Sequence, residues 1–119
     1  MNTIERIQHF EQRIEQIKAK LAAVGLMRPG SLSKQFNVCG KAGCRCKDPL
    51  RPQKHGPYYQ LSYVHQGKST TQFIRPFLLP EVKQQLSNYK TFRRLTAQWI
   101  TLALKIAKTR LKLASRQST

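Results

Sequence analysis

Every cysteine of this chain lies in the stretch Cys39–Cys46, CGKAGCRC, and the segment His55–Tyr59, HGPYY, follows after eight intervening residues. The spacing is Cys-x4-Cys-x-Cys-x8-His, and the candidate ligands are Cys39, Cys44, Cys46 and His55. Three thiolates and one imidazole are the donor set of a closed, tetrahedral structural zinc site. Gly40 and Gly43 can adopt the positive φ angles of a tight knuckle, which lets thiolates from both sides converge on one ion. The sequence therefore predicts a zinc knuckle, although these ligands would also suit iron.

Two other interpretations of the cysteines stay open. A disulfide would leave one of the three cysteines unpaired, and the amino terminus does not resemble a secretory signal. Redox-active thiols are favoured by neighbouring cations such as Lys41 and Arg45, which lower a thiol pKa, but the chain has no Cys-x-x-Cys pair. Burial as simple apolar side chains fits poorly, because Lys47 and Asp48 also flank the cysteines.

The same residues carry a family resemblance. The segment Met27–Leu32 (MRPGSL), the cysteine stretch and His55–Ser62 together resemble a family of small, largely uncharacterised prokaryotic proteins. Members of that family are often encoded in or beside mobile genetic elements. The similarity extends from about Arg28 to Tyr89, and it implies that His55 is the fourth ligand, because HGPY recurs with the cysteines. The resemblance implies a fold and a metal site, and it brings no established activity.

Length and composition predict one domain over residues 1–119, divided into an amino-terminal helix (1–26), a zinc knuckle with a β-hairpin (27–79) and a carboxy-terminal helix (80–115). A hydrophobic content of 39% is low for a self-sufficient globule, so a metal or self-association is expected to add stability. No apolar run approaches the roughly 20 residues that a membrane span requires. We expect a soluble, cytoplasmic protein that has no membrane partner.

Positive charge dominates the chain, with 22 Lys and Arg against five Asp and Glu and a formal net charge of +17. Residues 1–26 carry four basic and three acidic groups, whereas residues 27–80 and 81–119 each carry nine basic groups and one acidic group. A chain this basic repels itself unless a polyanion is present, and the usual polyanion is nucleic acid. The sequence does not distinguish DNA from RNA. An anionic membrane surface fits less well, because the helices lack an aromatic face opposite the cations.

Two helices are predicted at the ends of the chain. Residues 2–24 form the first, with Asn2 or Thr3 as its cap and Gly25 at its end. Its apolar seam repeats at heptad spacing and consists of Ile7, Phe10, Ile14, Ile17, Leu21 and Val24. The second helix begins at Pro80, and its apolar runs are Val82, Leu86 and Tyr89, then Leu95, Trp99, Leu102, Ile106 and Leu113. It is longer than the first, so its surplus apolar surface predicts a homodimer through the helices.

A β-hairpin is predicted between the knuckle and the second helix. Residues 58–64 and 69–75 are its strands, and residues 65–68 form the turn. Alternation places Tyr59, Leu61 and Tyr63 on one face and Tyr58, Gln60, Ser62 and Val64 on the other. The tyrosines fit two roles: half-buried core residues, which we favour for most of them, or stacking platforms for bases.

Two groups of cations are candidate phosphate contacts. Seven of the nine basic side chains of the second helix lie within an arc of about 80°, namely Lys83, Lys90, Arg94, Lys105, Lys108, Lys112 and Arg116. The knuckle would be surrounded by Lys41, Arg45, Lys47, Arg51 and Lys54. A phosphate backbone would bind along such one-signed surfaces with salt-sensitive affinity, although a merely solubilising basic face is the alternative.

The sequence favours a non-enzymatic protein. The five carboxylates do not gather at one place, no phosphate-binding glycine loop is present, and four ligands leave the predicted metal no open position. We therefore predict an α+β protein whose two helices pack as an antiparallel pair. Its expected function is zinc-stabilised nucleic-acid binding, as an accessory or regulatory factor of a mobile element. A coiled-coil adaptor whose zinc knuckle binds a protein partner is the alternative, and redox sensing through the cysteines is a third hypothesis.

Overall fold

The computed structural model describes residues 1–117, with side chains through residue 116. The helices are α1 (Thr3–Ala22) and α2 (Leu79–Gln117), the strands are β1 (Ser31–Asn37), β2 (His55–His65) and β3 (Lys68–Ile74), and two short 3-10 helices span Arg45–Lys47 and Pro76–Leu78. The predicted α+β class, with its first and last elements helical, is confirmed. In the part of the chain that the structure describes, neither long helix is apolar enough to span a membrane.

The chain divides into two compact units. One unit is Arg28–Leu86, which contains the sheet, and the other consists of Met1–Met27 together with the chain from Ser87 onward. We call them the sheet unit and the helical unit. The helix α2 supplies residues to both units. The prediction that residues 1–119 form a single domain stays a prediction.

The first helix begins with a capping box. The Asn2 side chain accepts a hydrogen bond from the Glu5 backbone N–H at 2.8 Å, and the Glu5 carboxylate accepts one from the Asn2 N–H at 3.4 Å. Such reciprocal bonds satisfy donors that a helix amino terminus leaves open. At its other end α1 stops at Ala22, two residues before the predicted end, because the last turn tightens to a 3-10 pattern with the Val24 N–H bonded to the Leu21 carbonyl at 3.2 Å.

The helical unit is an antiparallel helix pair, as predicted. Its buried core contains Ile14 and Ile17 of α1 and Leu95, Leu102 and Ile106 of α2, and the other α1 seam residues pack against it with Trp99. The direction follows from cross-helix contacts, since the Lys105 amine lies 5.6 Å from the Phe10 ring centroid and the Lys18 amine lies 5.3 Å from that of Trp99. Both predicted seams are therefore used within one chain, and four of the five residues in the second α2 run face α1.

The sheet unit contains three antiparallel strands in the order β1-β2-β3. The predicted hairpin is present as β2 and β3, joined at Gln66 and Gly67, whose φ angles are +51° and +77°. The strand β1 was not predicted. It pairs with β2 from Ser31↔Ser62 to Asn37↔His55, and its sequence gives little signal because only two of its seven residues are half-buried.

One face of the sheet carries the core of this unit. Leu61, Ile74 and Val82 are buried together, and Leu61 has no exposed surface. The partly buried residues that pack against them are Leu32, Tyr59, Tyr63, Leu79 and Leu86. Val82 and Leu86 of the first apolar run of α2 thus pack in the sheet core, whereas four residues of the second run pack in the helical core.

Candidate metal centre

The four predicted ligands come together through the pairing of β1 with β2. Cys39 follows β1, Cys44 caps the 3-10 helix Arg45–Lys47, Cys46 lies within that helix, and His55 is the first residue of β2. The register pairs Asn37 with His55, and Cys39 follows Asn37 by two residues in sequence. The pairing of β1 with β2 therefore brings the His55 imidazole close to Cys39. The strand that sequence reasoning missed is therefore the element that positions His55.

The ligand atoms form one tight cluster. The three sulfurs and the imidazole nitrogen all lie within 4.8 Å of one another. The Cys39 and Cys46 sulfurs are 3.6 Å apart, and the Cys44 sulfur lies 3.2 Å from the His55 Nε2. The cysteines are free, and the distance of 3.6 Å is well beyond the roughly 2.05 Å of a disulfide bond.

These distances fit a tetrahedral metal ion. With metal–sulfur bonds of about 2.3 Å, two sulfurs at the tetrahedral angle are about 3.8 Å apart, and a sulfur and an imidazole nitrogen are about 3.6 Å apart. Cys46 is 1% exposed, Cys39 and Cys44 are half-buried, and His55 is partly exposed. The group of Cys39, Cys44, Cys46 and His55 could thus hold a metal ion.

The electrostatics of the cluster favour a bound cation. Hydrogen bonds from the Cys46 backbone N–H, then from the Cys39 and Cys46 side chains and His55, lower the pKa of the Cys44 thiol from 9.0 to about 6. The Lys41 backbone N–H, as the largest contribution, lowers the pKa of Cys39. Hydrogen bonds to the Cys39 and Cys44 sulfurs raise the pKa of His55. The Cys39 and Cys44 thiols therefore ionise more readily than free thiols, and a bound metal ion would stabilise their thiolates further.

Cys46 behaves differently from the other two thiols. The Cys39 backbone N–H lowers the pKa of Cys46, but burial and the neighbouring Cys44 and Cys39 thiols outweigh it and raise the pKa. A buried thiol that resists ionisation on its own gains most from a cation, because the metal supplies the positive charge that burial removes.

The loop between Cys44 and His55 is held by its own hydrogen bonds. The Lys47 N–H donates to the Cys44 carbonyl at 3.0 Å, and the Gln53 N–H donates to the Arg45 carbonyl at 2.9 Å. The Asp48 carboxylate accepts from the backbone N–H groups of Leu50 and Arg51 at 2.9 and 3.3 Å. Asp48 therefore shapes the loop and does not join the ligand group.

Glycine is required at one position of the HGPY segment. Gly56 has a φ of +135°, and a β-carbon there would lie 2.8 Å from the Gln35 carbonyl oxygen and 3.1 Å from the Phe36 ring. In the knuckle, Gly43 has the predicted positive φ of +78°, whereas Gly40 lies outside the left-handed region. Thus Gly43 makes the turn between the thiolates, and Gly56 lets β1 approach β2 next to His55.

The cations predicted around the knuckle are all exposed, namely Lys41, Arg45, Lys47, Arg51 and Lys54. Three thiolates, a neutral imidazole and a divalent ion sum to a charge of −1, so these five side chains leave a net positive surface at the loop. On α2, the predicted residues Lys83, Lys90, Arg94, Lys105, Lys108, Lys112 and Arg116 are also exposed. Their role in binding stays a prediction.

The helical unit contains basic residues that sequence reasoning missed. Arg13 of α1 lines a groove with Arg94 and Lys105, and Arg6 of α1 lines a second groove with Lys105, Lys108 and Lys112. We call these six side chains the two-helix basic face. Glu11 and Glu15 lie on the opposite edge of α1, where they face Lys18 and Arg110. The seven-residue spacing of Arg6 and Arg13 was the available signal, but α1 was judged by its nearly neutral total charge.

The chain matches the model of one known protein family. Residues 7–84 match the model of a family described as a domain of unknown function, DUF6788. The chain belongs to this family. Searches of the curated proteins and of the solved structures found no match.

The DUF6788 match covers most of α1, all three strands and all four potential ligands. This agrees with the expected membership in an uncharacterised family. Of the predicted α2 cations, only Lys83 lies inside the matched residues.

Proposed function

We propose that this DUF6788 protein is a zinc-stabilised, non-enzymatic protein that binds nucleic acid through its phosphates. The observation that carries the proposal is the separation of charge on α1, which places Arg6 and Arg13 beside the α2 cations and keeps Glu11 and Glu15 on the other edge. A surface that only keeps a protein soluble gains nothing from this sorting, since interspersed signs repel less.

The two-helix basic face suits an extended polyanion. Its side chains come from both helices and line grooves, so a phosphate backbone could lie between two rows of cations. Lysine and arginine contacts of this kind position a nucleic acid without reading its sequence. The cations around the knuckle offer a second set of phosphate contacts in the sheet unit.

Zinc is the metal that best suits the cluster. Three thiolates and one imidazole in tetrahedral arrangement are typical of structural zinc, which closes its coordination sphere with four protein ligands. A closed site has no position for a substrate or an activated water, and this supports a structural role over catalysis. In that role the ligands would tie the end of β1 to the start of β2.

The phosphate contacts can be tested with a labelled oligonucleotide duplex in fluorescence anisotropy over a range of salt concentrations. The variant is Arg94/Lys108/Lys112→Gln, and the control Lys20/Lys34/Lys68→Gln removes the same charge from other exposed positions. If three phosphates are lost, the slope of log affinity against log salt becomes shallower by about three in the first variant only. Equal effects of both variants, or salt-independent binding, would argue against the proposal.

The proposed zinc has a separate test by native mass spectrometry of the purified protein. We expect one zinc per chain, and its loss in the Cys44→Ser variant. A metal-free chain with three titratable thiols would support the redox hypothesis instead. Bound iron would keep the structural role and change the identity of the metal.

We further propose that the protein is an accessory or regulatory factor of a mobile element. It rests on the resemblance of the cysteine and HGPY segments, and a sequence-tolerant phosphate surface is compatible with it. The test is genomic: genes for DUF6788 proteins should lie beside transposase or integrase genes more often than matched control genes do.

Self-association is also proposed, through a face of α2 that differs from the predicted one. Ile100, Leu104 and Leu111 are 60%, 54% and 70% exposed. With Ala97, Ala107 and Ala114 they are spaced 3, 4, 3, 4 and 3 residues apart, which is a second heptad seam. We propose that a second copy covers this seam, and the alanines would allow close approach of the two helices. A coiled-coil adaptor would use the same seam for another protein.

Sedimentation equilibrium distinguishes these occupants. A dimer that becomes monomeric in Ile100/Leu111→Glu, and stays dimeric in the control Leu50→Glu, supports pairing of two copies. A monomer at all concentrations contradicts it and favours the adaptor.

A further inference from the structure

The outward face of the sheet is unusual for so basic a chain. Strand alternation directs ten residues away from the core, namely Ser31, Ser33, Gln35, Tyr58, Gln60, Ser62, Val64, Ser69, Thr71 and Phe73. These ten positions hold no charged side chain, although the chain has 22 Lys and Arg. The solvated face of an antiparallel sheet is ordinarily polar, so its hydroxyl and amide groups are expected. The absence of cations and the presence of aromatic side chains are what distinguish this face from the rest of the chain.

Two aromatic rings stand on this face. Tyr58 of β2 is 43% exposed and Phe73 of β3 is 64% exposed. Their ring centroids are 6.5 Å apart with an interplanar angle of 70°. The sheet core consists of Leu61, Ile74 and Val82 on the other face, so neither ring is needed to build it. Exposed aromatic rings on a sheet are the common platform on which proteins stack unpaired bases.

The rest of the face consists of neutral hydrogen-bonding groups. The Gln35 side-chain amide donates to the Gln60 side-chain carbonyl and lies 3.4 Å from the Ser33 hydroxyl. The Ser62 and Thr71 hydroxyls are 3.4 Å apart. Amides and hydroxyls can both donate and accept, which matches the mixed edges of bases that are released from pairing.

Cations adjoin the aromatic pair along the chain. Arg75 follows Phe73 by two residues, and Lys54 immediately precedes β2; both side chains are exposed. Bases could thus lie on the neutral face while the sugar–phosphate backbone meets cations at the ends of its strands. An acidic peptide would instead require cations within the face, and a membrane surface would require a continuous apolar face in place of these hydroxyls and amides.

We propose that the outward face of the sheet binds single-stranded nucleic acid, with bases stacked on Tyr58 and Phe73. This rests on the proposed function, and it adds that the ligand is single-stranded and that its bases contact the sheet. Duplex DNA would not meet this requirement, because its bases are already stacked and its outer surface is phosphate.

Fluorescence anisotropy of the full chain provides the test, with a labelled 12-nucleotide single strand and a 12-base-pair duplex as probes. The variants are Tyr58→Ala and Phe73→Ala. Tyr58→Phe keeps a ring, and the control Phe77→Ala removes a 73% exposed phenylalanine outside the sheet. Thermal melting of each variant checks that the sheet remains folded, which we expect since both rings lie outside the core.

We expect the single strand to bind more tightly than the duplex. Each alanine variant should weaken single-strand binding by roughly 5- to 100-fold and leave duplex binding unchanged. Tyr58→Phe and Phe77→Ala should bind as the parent does. Ultraviolet crosslinking should locate the contact at Tyr58 or Phe73, a signature that a purely structural role would not give.

Three results would overturn the assignment. Unchanged affinity for the single strand in both alanine variants would show that the rings do not stack on bases; salt-dependent binding of the duplex would then still support the proposed function. An equal loss of affinity for the duplex would show that the rings do not select unpaired bases. Failure of the parent protein to bind either probe at low salt overturns both this inference and the proposed function.

Discussion

The helical unit and the sheet unit reach stability by different routes. In the helical unit five buried residues from two helices form a core, and nearly every contact follows from the apolar periodicity of α1 and α2. In the sheet unit three buried residues support three strands and a long loop. The cluster of Cys39, Cys44, Cys46 and His55 lies where that loop leaves and rejoins the sheet. Because the sheet unit has the smaller core, we expect it to depend on a metal ion bound at this cluster and the helix pair to be stable without one.

Metal removal should have the largest effect, and it should be confined to the sheet unit. Structural zinc contributes on the order of 10 kcal/mol to the folding of small domains. We expect a strong chelator to abolish amide protection in β1 and in the first half of β2 and to leave α1 protected. Hydrogen exchange with mass spectrometry would measure both in one sample.

The variant Asp48→Asn is the matched control, since Asp48 lies in the same loop outside the ligand group. It should keep the metal. Equal loss of protection in α1 and β1 would show that the helix pair also depends on the metal.

Truncation of a core side chain should destabilise one unit at a time, with a smaller effect than removal of the metal. Leu61 is 0% exposed in the sheet unit, and Leu102 is 2% exposed in the helical unit. Replacement of either by alanine leaves a cavity and should cost about 2–5 kcal/mol. Hydrogen exchange should show the loss of protection mainly in the unit that holds the cavity.

The control for these variants is Leu111→Ala, where the side chain is 70% exposed. Urea denaturation of that variant as a monomer at low concentration should shift by less than about 0.5 kcal/mol. A Leu61→Ala variant as stable as Leu111→Ala would contradict the placement of Leu61 at the centre of the sheet core.

The sequence predicted the helical unit better than the sheet unit for a physical reason. Each α1 seam residue is identified by neighbours three or four positions away, so local periodicity suffices. The strand β1 is recognisable only by its pairing with β2, whose paired residues lie 18 to 31 positions further along the chain. Without β1, the spacing named the four candidate ligands but could not show that Asn37 pairs with His55.

The roles of surface residues were also hard to predict from local sequence. Tyr58 and Tyr59 are adjacent in sequence, and alternation placed them on opposite faces, but only the packing of Val82 on Leu61 decides which face is inner. The total charge of α1 is nearly neutral, yet its signs separate once its seam faces α2. Both features depend on knowing which face of an element is covered.

The proposed phosphate-binding face can be tested within a single helix, because the two edges of α1 carry opposite charge. Arg6/Arg13→Gln removes two cations from the two-helix basic face, and Glu11/Glu15→Gln removes two anions from the opposite edge. Glu11 pairs with Arg110 and Glu15 with Lys18, each at 2.9 Å and well exposed, so these bonds contribute at most about 1 kcal/mol to stability.

We expect Arg6/Arg13→Gln to weaken nucleic-acid binding by about tenfold near physiological salt and to make the salt slope shallower by about two. Glu11/Glu15→Gln should leave the slope unchanged, because the edge it alters does not contact phosphate. If the net charge of +17 alone governed affinity, the two variants would instead shift it by equal amounts in opposite directions. That result would replace a defined binding face with a diffuse field, and the sorting of charge on α1 would then need another explanation.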